Sequence, residues 1–255
     1  MKKFFSYSLL SLLFTFIILS CTKSTDLTPD SINSALEIRT ARKLTDTQID
    51  SIGIMHNYRL NGIMNNIDFN SLPLENQFDS ILLLDGLSAS FIDTFKGWWS
   101  NDPLNNYNDS TFNFYYAKID SILAEDVINY SSFCNDLSKL ETEIRVNVSD
   151  GIVLDHLLVI ISVAKYSFYY WAPTIKGGSG IGYDFLGQID KVSSSLEIRR
   201  PKWQTVMAAD ASGAAWGFLQ FGVSAFFGPV GATSLAVGVV GSAVAGSVSG
   251  AGLLP

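Results

Sequence analysis

Two histidines, His56 and His156, are the residues whose ordinary pKa values lie closest to neutrality in this sequence. His156 follows Asp155, so a Ser-His-Asp hydrolase site is the first chemistry to consider. Neighbouring residues point about 100° apart on a helix, so Asp155 is poorly placed to orient the imidazole of His156. The spacings GxSxG and HExxH are absent. We therefore expect His156 to be a hydrogen-bonded core residue and His56 to be a packing or helix-surface residue.

The other reactive residue types also have structural interpretations. Cys134 is expected to behave as a small buried hydrophobic residue. Paired acids such as Glu125 and Asp126 are typical of a solvated helix face, and the aromatic run 166–171 is typical of a core. The glycine-rich stretch 176–182 lacks the order and the following Lys-Ser/Thr of a phosphate-binding loop. The sequence therefore predicts no catalytic residue, no cofactor site and no metal site.

The first 21 residues have the order of an export signal. Lys2 and Lys3 form a short positive start, and the 16 residues 4–19 follow without a charge. That length is short for a membrane span, which needs about 20 residues, and is close to the upper limit for the apolar part of a signal peptide. The segment ends in Ile18-Leu19-Ser20-Cys21, which places an aliphatic, a variable and a small residue before the cysteine.

This ending resembles the lipobox of bacterial lipoproteins. The resemblance implies cleavage before Cys21, a diacylglycerol on its thiol and often an acyl chain on its new amino group. Two or three chains give stable anchoring, whereas one binds only marginally. Residues 1–20 are then a signal peptide, and 21–44 are the lipidated cysteine with a polar, flexible tether. An ordinary signal peptide with a chance cysteine and an uncleaved anchor are the alternatives.

Composition narrows the location and the partners. Thr22 rather than Asp follows Cys21, and the sorting rule of enteric lipoproteins then favours the outer membrane. The formal charge is −7, and loss of Lys2 and Lys3 with the signal would make it −9, which disfavours nucleic-acid binding. With Cys21 lipidated, Cys134 would be alone, so an internal disulfide or a cysteine-based metal site is not expected.

Apolar periodicity predicts a helical domain over residues 45–175. Thr45-Asp46-Thr47-Gln48 has the hydroxyl and acidic residues of a helix start. We expect helices over about 45–67, 75–99, 112–130, 132–146 and 150–171, with a strand at 111–116 as the alternative. The last helix is apolar on most of its surface, but it carries Asp155, His156 and Lys165. These ionisable groups favour a buried core helix over a membrane span.

The end of the chain has a different composition. Every charged residue lies at or before Asp210, and the final 45 residues, 211–255, hold 10 of the 20 glycines. We interpret 176–200 as a Gly-rich linker region and 201–255 as a helical hairpin. Its first helix is expected to end at Phe227, and Gly228-Pro229 would break the chain before a second helix over 230–252.

Small residues recur on one face of this second helix. They step by three and four, namely Gly231, Ser234, Gly238, Gly241, Ala245, Ser249 and Gly252, and a second diagonal holds Ser242, Gly246 and Gly250. Gly213 and Gly217 give the same spacing in the first helix. Each glycine disfavours a helix by about 1 kcal/mol relative to alanine, and close helix packing is the expected compensation. We therefore predict a glycine-zipper hairpin.

The tail resembles glycine-zipper segments of two-peptide bacteriocins and other membrane-inserting helices. With His56-Asn57 near the front, the whole chain resembles uncharacterised lipoproteins of Bacteroides-type bacteria, a likeness that implies no activity. Two placements of the hairpin stay open. It enters a bilayer with Trp203 and the basic residues Arg199, Arg200 and Lys202 at the interface, or it packs against the helical domain.

The sequence thus predicts a mainly α fold, a helical bundle domain followed by a Gly/Ala-rich helical hairpin. The expected function is that of a non-enzymatic, lipid-anchored envelope protein. Its expected partners are the membrane through Cys21 and a second membrane or helix contact through 211–252, with an oligomer also compatible and no nucleic acid. A membrane-active, bacteriocin-like effector is the alternative, and an enzyme with an unrecognised site is a third hypothesis.

Overall fold

The computed structural model describes residues 44–66, 79, 82, 88–101, 109–125, 129–193, 203–221 and 228–253. Helices account for 89% of the structure, and the described residues contain no strand, so the prediction of a mainly α helical bundle is confirmed. The chain divides into residues 1–38, none of which is among the described residues, and a compact unit of residues 39–255. The segment 111–116, for which a strand was the alternative, is helical.

The described helices follow one another along the compact unit. They are α1 (Asp46–Asn66), α2 (Ala89–Asn101), α3 (Ser110–Ala124), α4 (Tyr130–Asn147), α5 (Gly151–Trp171), α6 (Ile181–Ser193), α7 (Trp203–Phe221) and α8 (Gly228–Val248). A short 3-10 turn, Thr174–Lys176, precedes α6, and a π turn, Ser249–Leu253, continues α8.

Polar side chains cap several of these helices. Thr45 and Gln48 form a capping box at α1, since each side chain accepts the other's backbone N–H, at 3.2 Å for Thr45 Oγ1 and 2.8 Å for Gln48 Oε1. Asp109 caps α3 and Asn129 caps α4, each accepting the amide three residues on. Asp150 accepts two amides at the start of α5. These bonds satisfy N–H groups that a helix leaves without internal partners.

Helix α5 is the centre of the bundle. It contacts α1, α3, α4, α6 and α7, and Leu157, Ile160 and Phe168 are each 0% exposed. Among the described residues it is the one helix long and apolar enough to cross a membrane by length and composition, and 78% of its most apolar stretch is buried within the protein. This burial agrees with the prediction of a core helix.

The hairpin α7–α8 belongs to the same compact unit. Its two helices contact each other more extensively than any other described pair, while α7 also packs on α5 and α3, and α8 packs on α1. Apolar side chains such as Val206, Met207 and Val244 are 0% exposed. Of the two placements left open by the sequence, the structure has the hairpin packed against the helical domain.

Helix α6 lies inside the range 176–200 that the sequence analysis treats as linker. Gly177 and Gly180 have positive φ angles of 86° and 79°, a conformation that favours glycine, and the tight turn they form reverses the chain. Phe185 and Leu186 then give α6 a buried apolar side. Gly182 allows the close approach to α5, because a Cβ there would lie 2.4 Å from Cε3 of Trp171.

Candidate functional site

Four helices bring polar side chains to one buried carboxylate, that of Asp210 in α7. Helix α1 contributes His56, α5 contributes Ser167 and Trp171, and α8 contributes Ser247. All five side chains are 0% exposed. We call these five residues the Asp210 cluster. Because buried polar groups are costly unless they are hydrogen-bonded, their partners decide what the cluster can do.

Both oxygens of the Asp210 carboxyl group are hydrogen-bonded. Oδ2 accepts from Ser167 Oγ at 2.5 Å and from Trp171 Nε1 at 2.9 Å, so α7 is joined to α5. Oδ1 is hydrogen-bonded to Ser247 Oγ, which joins α7 to α8. His56 Nε2 lies 3.4 Å from Asp210 Oδ2 and 3.3 Å from Ser247 Oγ, so α1 meets the same group.

The neighbouring Asn57 decides which nitrogen of His56 carries hydrogen. Asn57 Nδ2 donates to the backbone oxygen of Tyr166 at 2.8 Å, which turns Asn57 Oδ1 toward His56 Nδ1 at 3.1 Å. An amide oxygen only accepts, so Nδ1 is the donor in neutral His56. The lone pair of Nε2 therefore faces Asp210 and Ser247. A carboxylate and a lone pair repel each other, so this contact is stabilised when the two groups hold one proton between them.

Burial favours the neutral form of each of the two titratable groups. Desolvation raises the pKa of Asp210 to about 8, against the opposing effect of its hydrogen bonds from Ser167, Ser247 and Trp171. Desolvation also lowers the pKa of His56 to about 4, against the opposing bond to Asn57. Near neutral pH the pair thus holds one proton and no net charge.

The cluster contains Ser, His and Asp but lacks the arrangement of a hydrolase triad. In a triad one imidazole nitrogen faces the serine and the other faces the acid. Here Nε2 of His56 faces both Ser247 and Asp210, while Nδ1 faces Asn57. The serine and the imidazole are also 0% exposed. The group can hold and share a proton, but it presents no activated nucleophile to solvent.

His156 is a separate buried group with a different partner. Its Nε2 donates to the backbone oxygen of Ala215 at 2.8 Å, and its ring is stacked between Phe112 and Phe218 at centroid distances of 4.4 and 4.5 Å. Burial lowers its pKa to about 3. The prediction of a hydrogen-bonded core histidine is confirmed. Asp155 Oδ2 accepts the amide of Leu44 at 2.8 Å.

Gly213 and Gly217 lie where α7 closely approaches α8. A Cβ on Gly213 would lie 2.3 Å from the backbone oxygen of Ser242, and one on Gly217 would lie 2.8 Å from Cα of Val239. Both distances are shorter than real Cβ contacts. A side chain at either position would therefore force the two helix backbones apart.

On the α8 side, the close contacts come from Gly246 and Gly250. A Cβ on Gly246 would lie 2.2 Å from the backbone oxygen of Ala209, and one on Gly250 would lie 2.9 Å from Cα of Val206. These glycines belong to the second diagonal of the sequence analysis. On the first face, Gly238, Gly241 and Ala245 are buried. Gly231 and Gly252 lie in the helical backbone that the structure describes.

Several predicted features lie elsewhere. Cys21, residues 22–43 of its tether and the basic residues Arg199, Arg200 and Lys202 are outside the described residues, whereas Leu44, the last residue of the predicted tether, is buried. Trp203 is partly buried and packs edge-on against Phe168 at 5.0 Å. Cys134 is half-buried, and burial raises the pKa of its thiol. The described residues contain no group of three His, Cys, Asp or Glu placed to hold a metal ion.

The sequence analysis missed the Asp210 cluster and one close contact of α1 with α5. Asp210 can be singled out from the sequence, because it is the one charged residue in the range of α7. Such an isolated acid needs a partner when it is buried. Gly53 had no such signal, yet a Cβ there would lie 2.3 Å from Cδ2 of Tyr166.

Comparison with known proteins gives no relative. No protein-family model matches the chain, and neither a curated protein nor a solved structure does. A function for this chain is therefore argued from its own residues.

Proposed function

We propose that this chain is a lipid-anchored protein of the bacterial cell envelope, with a structural or binding role and no enzymatic one. The argument for the anchor is the ordered signal that ends in Ile18-Leu19-Ser20-Cys21. The observation that supports a non-enzymatic role is the Asp210 cluster. Its Ser, His and Asp side chains are 0% exposed and contact one another. An outer-membrane location is favoured by Thr22.

We propose further that the helix partners of the hairpin are helices of the same chain. The small residues that let a glycine-rich helix pack closely are used between α7 and α8, at Gly213, Gly217, Gly246 and Gly250. Elsewhere α7 contacts α3 and α5, and α8 contacts α1. In this role the hairpin completes the core of the helical domain, and the lipid alone holds the protein at the membrane.

Fractionation of cells grown with a labelled fatty acid tests the anchor. We expect the wild type and Cys134→Ala to carry label and to float with membranes, since Cys134 is the matched second cysteine. Cys21→Ala should carry no label and should be recovered in the soluble fraction. Label on Cys21→Ala would show that the lipobox interpretation is wrong. Flotation of the unlabelled variant would show that another segment binds the membrane.

A second candidate function is that of a membrane-active effector. The observation that favours it is the charge-free composition of residues 211–255, together with the extensive contact of α7 with α8, which lets the hairpin keep its internal packing outside the bundle. The test is release of a trapped dye from liposomes by the unlipidated mature chain, residues 22–255. Release at micromolar protein would support the effector and contradict a purely internal role for the hairpin. Intact liposomes would support the envelope role.

A further inference from the structure

We propose that the Asp210 cluster is a one-proton latch, which fixes the α7–α8 hairpin against α1 and α5 and loosens it when the shared proton is lost. The latch lies within the helical bundle and does not depend on the lipid anchor.

The positions of the hydrogen bonds make the cluster a latch. One carboxyl oxygen of Asp210 is hydrogen-bonded to Ser167 and Trp171 of α5, and the other is hydrogen-bonded to Ser247 of α8. Nε2 of His56, in α1, lies beside both Asp210 and Ser247. Hydrogen bonds in a low-dielectric interior are stronger than in water, and a buried polar group that loses its partner is correspondingly costly. The seating of both hairpin helices thus depends on one carboxyl group.

The geometry makes the latch depend on a single proton. Trp171 Nε1 and Ser167 Oγ already donate to Oδ2, and Asn57 holds His56 with its Nε2 lone pair toward Asp210. The hydroxyl of Ser247 has one hydrogen, which cannot serve both Asp210 and His56. Without the shared proton, two acceptors face each other at 3.4 Å.

The surrounding charges do not compensate for that loss. Helix α1 places the titratable side chain of His56 beside Asp210. Helix α5 places the neutral groups Ser167 and Trp171 there, and the phenol of Tyr170 lies near the same carboxyl group. Helix α8 contains no charged residue, and α7 contains no second one. Of the other charged residues of α5, Lys165 bonds Glu141 of α4 and Asp155 bonds the amide of Leu44.

The direction of the pH response follows from these contacts. Burial raises the pKa of Asp210 to about 8, so the shared proton is retained at neutral pH and is lost in mildly alkaline solution. Below that pKa each further pH unit multiplies the fraction of opened hairpin by about ten, because the opened form has lost the proton and the seated form keeps it, and above about pH 8 the fraction levels off. The response therefore has one sign: loosening as pH rises.

Hydrogen–deuterium exchange of the intact chain tests the latch. Amide protection of 238–248 in α8 would be followed from pH 6 to 9, corrected for intrinsic exchange, with 133–144 in α4 as an internal reference. We expect protection in α8 to fall by about tenfold or more and to stay below that of α4 at every pH. Asp210→Asn should remove the fall. Asp136→Asn, the matched exposed acid, should retain it.

A pair of serine variants keeps the test decisive if Asp210→Asn does not fold. Ser247→Ala removes a hydrogen bond that favours the charged form of Asp210, so the fall in protection should move to higher pH. Ser242→Ala is the control on the same helix, since its hydroxyl bonds the backbone oxygen of Gly238. Its midpoint should stay in place.

Three outcomes would overturn the latch. The first is pH-independent protection of α8 in the wild type. The second is an equal fall in Asp210→Asn or an unmoved midpoint in Ser247→Ala, either of which would assign the response to other groups. The third is equal protection of α8 and α4 at every pH, which would report global unfolding instead of release of the hairpin.

Discussion

His56 Nε2 lies 3.4 Å from Asp210 Oδ2, and this contact joins α1 to the α7–α8 hairpin in a part of the core that is closed to water. The second histidine, His156, is equally buried but donates to a backbone oxygen, that of Ala215. One imidazole thus lies against a carboxyl group, and the other donates to the backbone. The difference produces distinct responses to pH.

Stability should decline between pH 6.5 and 8 because of the Asp210 cluster. The pKa of Asp210 is raised from 3.8 to about 8, so its contribution is complete below 3.8 and is lost as pH rises to 8. The pKa of His56 is lowered from 6.5 to about 4, so its contribution is complete above 6.5 and is lost as pH falls to 4. The two trends oppose each other from 4 to 6.5. Above 6.5 only that of Asp210 remains, and the free energy of unfolding should fall by about 2 kcal/mol.

Urea unfolding of the wild type and Asp210→Asn at pH 6.5 and 8 measures this decline. The asparagine does not titrate, so its free energy of unfolding should change less over the interval, by about the same 2 kcal/mol. Asp136→Asn should behave as the wild type does, because Asp136 is an exposed acid paired with Lys139. A decline of the same size in all three proteins would trace it to groups outside the cluster.

The two histidines should be opposite tautomers. His156 donates from Nε2 to a carbonyl, whereas Asn57 makes Nδ1 the donor in neutral His56. Nitrogen-15 NMR of the imidazole rings distinguishes the two forms. With its pKa lowered to about 3 by burial, His156 should also show no protonation above pH 4. The same tautomer for both rings would contradict the geometry of one of the two sites.

Two glycine-to-alanine variants should change stability in opposite directions. In Gly246→Ala the new Cβ would lie 2.2 Å from the backbone oxygen of Ala209, so α7 and α8 must separate, at a cost of about 1–3 kcal/mol. In Gly62→Ala nothing lies within 4 Å of the new atom in α1, so helix propensity should stabilise the protein by up to about 1 kcal/mol. Denaturant midpoints of both variants provide the comparison, and equal effects would argue against the close contact.

Local signals accounted for most of the fold. Thr45 and Gln48 marked the start of α1, and the apolar run with Asp155 and His156 marked α5 as a core helix. These features depend on neighbours in sequence, where periodicity and capping act. Helix α6 was not predicted, because the glycines that precede it are typical of a linker. Phe185 and Leu186 nevertheless give that helix a buried side.

The Asp210 cluster depends on long-range contacts, which is why the sequence did not reveal it. His56 and Ser247 are 191 residues apart, and no local pattern relates them. The small residues of α8 present a similar limit, because both of its diagonals suit close packing. Only the three-dimensional contacts show that Gly246 and Gly250 meet α7. A lone acid such as Asp210 shows that a polar partner is needed, but not which residue supplies it.

The cap of the central helix should contribute to the stability of the whole bundle. Asp150 Oδ1 accepts the amides of Ile152 and Val153 at 2.8 and 3.1 Å, at the start of α5. Asp150→Ala leaves those amides without this partner and should lower the free energy of unfolding by about 1 kcal/mol. Asp136→Ala is the matched loss of an acid within a helix, and its exposed pair with Lys139 should change stability by less than about 0.5 kcal/mol. Urea unfolding at pH 6 compares them. Equal effects would mean that solvent satisfies the α5 amides as well as the carboxylate does.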